Sequence, residues 1–577
     1  MSKVLTYLKP YIGMLLCAIA LLFVQAMCDL ALPDYMSKIV NTGVISGNIP
    51  FIWQMGFKML GITLLGTASS VTVGYFAARI ASLAGRDLRY DVFGKVERFS
   101  SAEFDKFSTA SLITRTTNDI TQIQNLAVMA VRMIFYAPII AIGGVTKAIS
   151  KSPSMSWILA IAVLSLICCI MLLLLMVMPK MRLAQKLVDR LNLVTRENIE
   201  GMLVTRAFNS QRFEQKRFDT ANTELTANNL FVNRAMSAMM PALTLVMTLT
   251  TVFIVWIGAH QVSEFRLDPG SMMAYMQYAM QVIMAFVMLS VMFILIPRAA
   301  VSADRIAEVL AIEPIITDPE SPETYGDRFT GEVEFEDVSF RYPESDGDVL
   351  RHISFKAKPG KTTAFIGATG SGKSTVVNLI VRFYDVTGGR IKVGGKDVRA
   401  VNQKDLRANI GYVPQKSVLF SGTIDSNLRY ADRGMTAQNI ERAASVAQAT
   451  EFIESKPERY ETPIAQGGGN VSGGQKQRLS IARALAKNAP IYIFDDSFSA
   501  LDVKTDRKLR AALKEQTGDS TILLVAQRVS SIMDADQIVV LDNGEIVGVG
   551  THRELLKTCE VYYEIAASQL SEEELAR

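Results

Sequence analysis

Thr363-Ala364-Phe365-Ile366 runs directly into Gly367-Ala368-Thr369-Gly370-Ser371-Gly372-Lys373-Ser374, followed by Thr375 and the apolar stretch 376–381. The residues before the glycines read as a buried strand and those after the lysine as a helix. The glycine-rich run therefore stands at a strand-to-helix turn, the context in which this pattern cradles phosphate. Glycines let backbone N–H groups converge on phosphate oxygens, and the helix N-terminus adds partial positive charge. Lys373 is expected to reach the β- and γ-phosphates, and the Ser374 hydroxyl to hold Mg²⁺. A second apolar strand, 491–494, ends at Asp495, where a phosphate-loop ATPase holds the same metal ion.

Working outward from this site, the chain changes character. It has 577 residues, more than one core can organise, and 49% of them are hydrophobic. Five stretches before residue 300 lack Asp, Glu, Lys and Arg and approach or exceed the length needed to cross a bilayer: 11–28, 59–78, 152–179, 235–263 and 269–297. A sixth, 126–150, carries Arg132 and Lys147 near its ends, where long side chains can snorkel. Basic residues crowd the long segments 79–132 and 180–234, which places these on the cytosolic side together with both termini. Lys147 and Lys151 are a mild exception. The segment 317–330 is a polar linker, and 331–568 alternates short strands with helices, as an α/β domain does. The segment 569–577 reads as a polar, solvated tail. A net charge of +4 does not make a nucleic-acid-binding surface, and the five cysteines have no metal-ligand spacing.

The run Val471-Ser472-Gly473-Gly474-Gln475 resembles the signature motif of the ABC transporter family, with Val in place of the usual Leu. Other residues follow in the family's order. By that resemblance Tyr342 stacks on adenine, Gln415 is the glutamine of the loop that meets Mg²⁺, and Ser499-Ala500-Leu501-Asp502 is the D-loop. The resemblance covers the whole chain. It implies a six-helix all-α transmembrane domain of the exporter type over 1–316, followed by an α/β ATP-binding cassette. It also implies segments near 109–118 and 206–218 that touch the nucleotide domains. Two such chains pair, with Mg-ATP held between the phosphate loop of one and the signature of the other, in the cell membrane and surrounded by its lipid.

Two positions depart from the family. The Glu that follows the Walker B aspartate is Asp496 here, and the switch histidine is Gln527. The shorter carboxylate sits back from the attacking water, and an amide cannot carry the imidazole's proton. Both changes fall at one reaction centre, while Ser472-Gly473-Gly474 is intact. The reading is a degenerate site that binds ATP and cleaves it slowly, in a heterodimer whose partner half-transporter supplies the Glu and His. A homodimer with two slow sites is the alternative.

Methionines recur every fourth residue from Met272 to Met292. Each step drifts about 40° round the helix. By resemblance this helix lines the central cavity, with Met276, Gln277, Met280, Gln281 and Met284 facing a small hydrophobic or amphipathic cargo; lipid-facing or packing roles are the alternative. Lipid or peptide export stays open, since a fold does not specify cargo. Asp29 is either a functional intramembrane carboxylate or an interfacial one.

Overall fold

The apolar stretches become six long helical spans: α1 (Lys3–Val44), α2 (Ile49–Val96), α3 (Thr109–Lys151), α4 (Pro153–Glu200), α5 (Gln211–Ser263) and α6 (Pro269–Ala311). Each is long and apolar enough to cross a membrane and extends well beyond the ~20 residues that a bilayer requires. The protein is described here by a computed structural model covering residues 2–326, 329–343, 345–499 and 501–575. The chain folds as two compact units, one of residues 1–97 and 109–312, the other of 98–108 and 313–577.

In the first unit the helices pack through small and aromatic side chains. Ala26, Ala137, Ala274 and Ala279 let the backbones approach, and Tyr275 and Tyr278 are fully buried between them. Neither tyrosine hydroxyl is left unpaired: Tyr275 donates to the Met155 carbonyl at 2.8 Å and Tyr278 to the Leu30 carbonyl at 2.9 Å. Lys147 and Lys151, basic residues on the expected outer side, both reach Asp34, at 2.7 and 2.9 Å. Arg132 turns back to the Ser70 carbonyl on α2.

The methionine stripe winds as its 40° drift requires. Met272 and Met276 pack against the helical core, Met284 and Met288 are open, and Met292 is buried again. Gln277 is exposed, while Met280 and Gln281 lie at the edge of the open face.

In the second unit two main sheets form, beside a short two-stranded pairing of Gly422–Thr423 with Pro463–Ile464. The smaller is antiparallel, in the order β2 (Leu350–Ala357), β1 (Val333–Phe340), β4 (Gly388–Val393), β5 (Lys396–Asp397). The larger places β3 (Thr362–Gly367) centrally. Its order is β10 (Glu545–Gly550), β9 (Gln537–Asp542), β3, β8 (Thr521–Val525), β7 (Ile491–Asp495), β6 (Ile410–Val413). All neighbours are parallel except β9 and β10. Residues 363–366 and all of β7 are buried, which explains why both read as unbroken apolar runs. The helices that follow the phosphate loop and the signature are α7 (Lys373–Ile380) and α8 (Gly473–Ala486); α9 (Val503–Gln516) follows the D-loop.

Two expectations shift. The short helix between α2 and α3 is Ser101–Asp105, not 109–118, which begins α3. Ser100 and Glu103 form a capping box that starts it. The buried Glu103 also accepts from the Ile315 N–H at 3.0 Å, and Asp105 accepts from the Tyr384 hydroxyl at 2.8 Å. These bonds place 98–108 in the second unit. The tail is not simply solvated either. Leu570 and Leu575 pack against the core of this unit, and Gln569 is hydrogen-bonded to the loop after β8.

Candidate functional site

Four adjacent parallel strands end on the same edge of the large sheet, where ligands of such sheets bind. β3 leads into the glycine loop, β8 to Gln527, β7 to Asp495 and Asp496, and β6 to Gln415. The register is direct: Val525 lies opposite Asp495 on one side and Phe365 on the other.

The loop's shape depends on glycine at two positions. Gly370 and Gly372 have φ of 88° and 96°, which L side chains rarely adopt, and Gly372 caps α7. Lys373 is nearly buried and donates to the Gly367 and Ala368 carbonyls at 3.0 and 2.7 Å. Burial lowers its pKa, while Asp496 and Asp495 oppose that shift. Ser374 Oγ donates to Asp495 Oδ1 at 2.8 Å. Two cis ligands of an octahedral Mg²⁺ at 2.0–2.1 Å stand about 2.9 Å apart, so this hard-oxygen pair fits the ion in type and spacing. Burial raises the Asp495 pKa, and the Ser374 hydrogen bond opposes that; a divalent cation would favour the charged form.

Asp496 has a left-handed backbone, φ 47°, a strained conformation of the kind that collects at reactive positions. Its N–H is tied to the Val525 carbonyl, and Ser499 Oγ donates to the Asp496 carbonyl at 2.9 Å. Its Oδ2 takes a 2.8 Å hydrogen bond from Gln527 Nε2, and Gln415 Nε2 stands 3.5 Å away. Burial is the main force raising this carboxyl's pKa. The two departures from the family are thus in contact with each other.

Tyr342 is held in place rather than free: its hydroxyl lies 3.0 Å from Thr375 Oγ1, and its ring meets Phe340 and Tyr384 edge-on. Ala368, Thr369 and Ser371 fill the loop between β3 and α7. Ser472 caps α8 through a reciprocal pair with Gln475, at 3.0 and 3.3 Å. It and Gly473 are exposed, Val471 and Gly474 less so, so the signature is presented outward. Asp502 caps α9 through Thr505, Leu501 is buried, and Ala500 lies outside the described residues.

Sequence reasoning missed Gln569. Its Oε1 accepts from the Val529 N–H at 2.8 Å and its Nε2 donates to the Gln527 carbonyl at 3.0 Å. The local signal, Leu570 beside it in a polar tail, is faint.

Comparison with known proteins fits this geometry. The family described as ABC transporter transmembrane region matches residues 15–286, and that described as ABC transporter matches 350–499. An uncharacterised ABC transporter ATP-binding protein of Mycobacterium tuberculosis is 40% identical, covering 98% of this chain and 97% of its own length. A similarly described protein of Bacillus subtilis is 37% identical, covering 99% of each. An ATP-dependent lipid A-core flippase of Aromatoleum aromaticum is 31% identical, covering 99% of this chain and 96% of its own.

Proposed function

Since the chain belongs to the ABC transporter family, as an exporter-type half-transporter, we propose that it drives export of hydrophobic or amphipathic compounds as the degenerate-site half of a heterodimer. Membership carries ATP binding and an ATPase activity coupled to transport across a membrane that the six spans cross. The finer reading concerns which step this chain performs well.

The observation that carries it is the Asp496–Gln527 contact. A general base must have an oxygen free for the proton of the attacking water. Here the carboxylate is one methylene shorter and sits back from that water, Oδ2 is taken by an amide N–H so that only the set-back Oδ1 is open, and that amide stands where the family has the histidine that meets the γ-phosphate. Lys373, the loop N–H groups and Tyr342 remain suited to holding ATP, and Ser374, Asp495 and Gln415 would hold Mg²⁺, which neutralises developing phosphate charge. The outward Ser472-Gly473-Gly474 cap suits a partner's nucleotide. Its main catalytic contribution is therefore to the partner's site, with both nucleotide domains and both termini in the cytosol.

The flippase relative favours cargo with an extended apolar part, a lipid among the candidates. The test is reconstitution with a partner half that carries the Glu and His. ATP-dependent accumulation of an amphipathic dye in inside-out proteoliposomes is expected. Equal transport by this chain without the partner would overturn the heterodimer reading.

A further inference from the structure

Pro33 sits inside α1. Proline has no N–H, so the carbonyl four residues earlier, that of Asp29, loses its helical partner, and the ring crowds it outward. In a bilayer such a freed carbonyl must find a donor. It finds one on another span: Gln281 Nε2 of α6 donates to the Asp29 carbonyl at 3.1 Å. One residue on, the Leu30 carbonyl takes the Tyr278 hydroxyl of the same helix. These two bonds therefore tie α1 to α6 with Asp29 at the junction.

The Asp29 side chain is held as deliberately. The Tyr136 hydroxyl of α3 donates to its Oδ2 at 2.6 Å. Gln25 lies one turn before it on the same face of α1. The buried Gln281 Oε1 has no hydrogen-bond partner. The contrast with Asp34 is instructive. Asp34 stands five residues further along and is neutralised by Lys147 and Lys151. Among the described residues Asp29 has no Lys or Arg ion-pair partner. The donor to its side chain is a neutral hydroxyl. An intramembrane carboxylate without a counter-charge is costly, and a site that keeps one is poised to receive a cation. Beside it runs the open face of α6, where Met284 is 44% exposed and Met288 37%. Flexible, polarizable thioethers suit apolar bodies of varied shape.

We propose that Asp29, bracketed by Tyr136 and Gln281 and flanked by the open methionines of α6, is the recognition point for a single positive charge on an otherwise apolar molecule. Tyr136 satisfies the carboxylate while the site is empty, Gln281 offers an amide oxygen to the same cation, and the methionines take the apolar body. This deepens the export reading and rests on it for the onward passage of the cargo, while binding in the absence of nucleotide examines the site alone.

Tetraphenylphosphonium and tetraphenylborate are near-identical in shape and opposite in charge. Their equilibrium binding to the full chain in lipid nanodiscs, without ATP, separates charge from hydrophobicity. The cation is expected to bind more tightly than the anion, and Asp29→Asn to weaken the cation about tenfold without weakening the anion. Tyr136→Phe removes the competing donor and leaves the charge, so it should bind the cation at least as tightly as the parent. This second variant guards against misreading a fold defect: Asp29→Asn removes the charge but keeps an oxygen that can accept from Tyr136, whereas Tyr136→Phe removes that hydrogen bond and keeps the charge. Equal affinity for the two ions, or cation binding indifferent to Asp29→Asn, would overturn the site. Export of a neutral amphiphile by the reconstituted pair would in either case leave the transport reading standing.

Discussion

Gln527 Nε2 donates to Asp496 Oδ2 at 2.8 Å, joining the end of β8 to the end of β7 at the edge where phosphate chemistry is expected. The two substitutions are thus one structural unit. Asp496→Glu alone extends a carboxylate toward an amide that still occupies it, and Gln527→His alone removes the amide but leaves the carboxylate short. Paired with a half-transporter that carries the Glu and His, the double variant should raise hydrolysis at this chain's site by about tenfold or more, the low end of what a positioned base contributes. Each single variant should gain much less, because contacting residues do not act additively. Site-resolved turnover, with the partner's own site disabled, is the measurement. Additive single gains would show the two positions to be independent.

Tyr384 holds the helix Ser101–Asp105 within the nucleotide unit. Its hydroxyl donates to Asp105 of that helix, which lies in the chain between α2 and α3. Tyr384→Phe keeps the ring against Tyr342 and Phe340 and removes that bond. Basal ATP turnover of the pair should change little, while its stimulation by cargo should fall. Loss of basal turnover would instead mean that the ring's contact with Tyr342 matters more than the hydroxyl.

Gln569 holds both flanks of the Gln527 loop, at the Gln527 carbonyl and the Val529 N–H. Gln569→Ala should cost about 1 kcal/mol of local stability and partly undo the gain of the double variant above, since the switch position would be less well held. Hydrogen exchange across 526–530 reads the loosening directly. Unchanged protection there would contradict the clamp.

His552 is buried with Nδ1 2.7 Å from the Tyr562 hydroxyl, and its Nε2 is buried without a hydrogen-bond partner. Burial, aided by Arg553, lowers its pKa below the ordinary 6.5. In the window below 6.5 the unfolded chain takes up a proton that the folded one refuses. Stability is therefore complete above that pH and declines as pH falls toward the depressed folded value. The thermal midpoint of the nucleotide unit in the full chain should drop between pH 7 and 5.5, with a shallower drop in His552→Phe. Equal slopes would place the acid sensitivity elsewhere.

Most of the candidate nucleotide site was legible because its local geometry is set by adjacent residues: the glycine loop, the signature cap and the strand-end aspartates are each a few adjacent residues. The six spans were legible from apolar length alone. The start of the short helix before α3 was misjudged by about eight residues because a capping box, Ser100 with Glu103, decides it, and polar helical sequence continues on both sides. The contact between Asp496 and Gln527 was hidden because the residues are 31 apart and meet only through parallel strand pairing. The Asp29–Gln281 bond spans 252 residues. Its only sequence trace is Pro33, four residues after Asp29, which announces an orphaned carbonyl but not its partner.

Holding ATP and cleaving it are proposed here to be separate in this chain. Equilibrium binding of Mg-ATP to the purified full chain, run beside single-turnover hydrolysis in the same nanodiscs, tests it most directly. Saturable binding that Lys373→Ala abolishes, with hydrolysis barely above background, is expected. Rapid hydrolysis by the chain alone, at the rate of an ABC site with Glu and His in place, would contradict it.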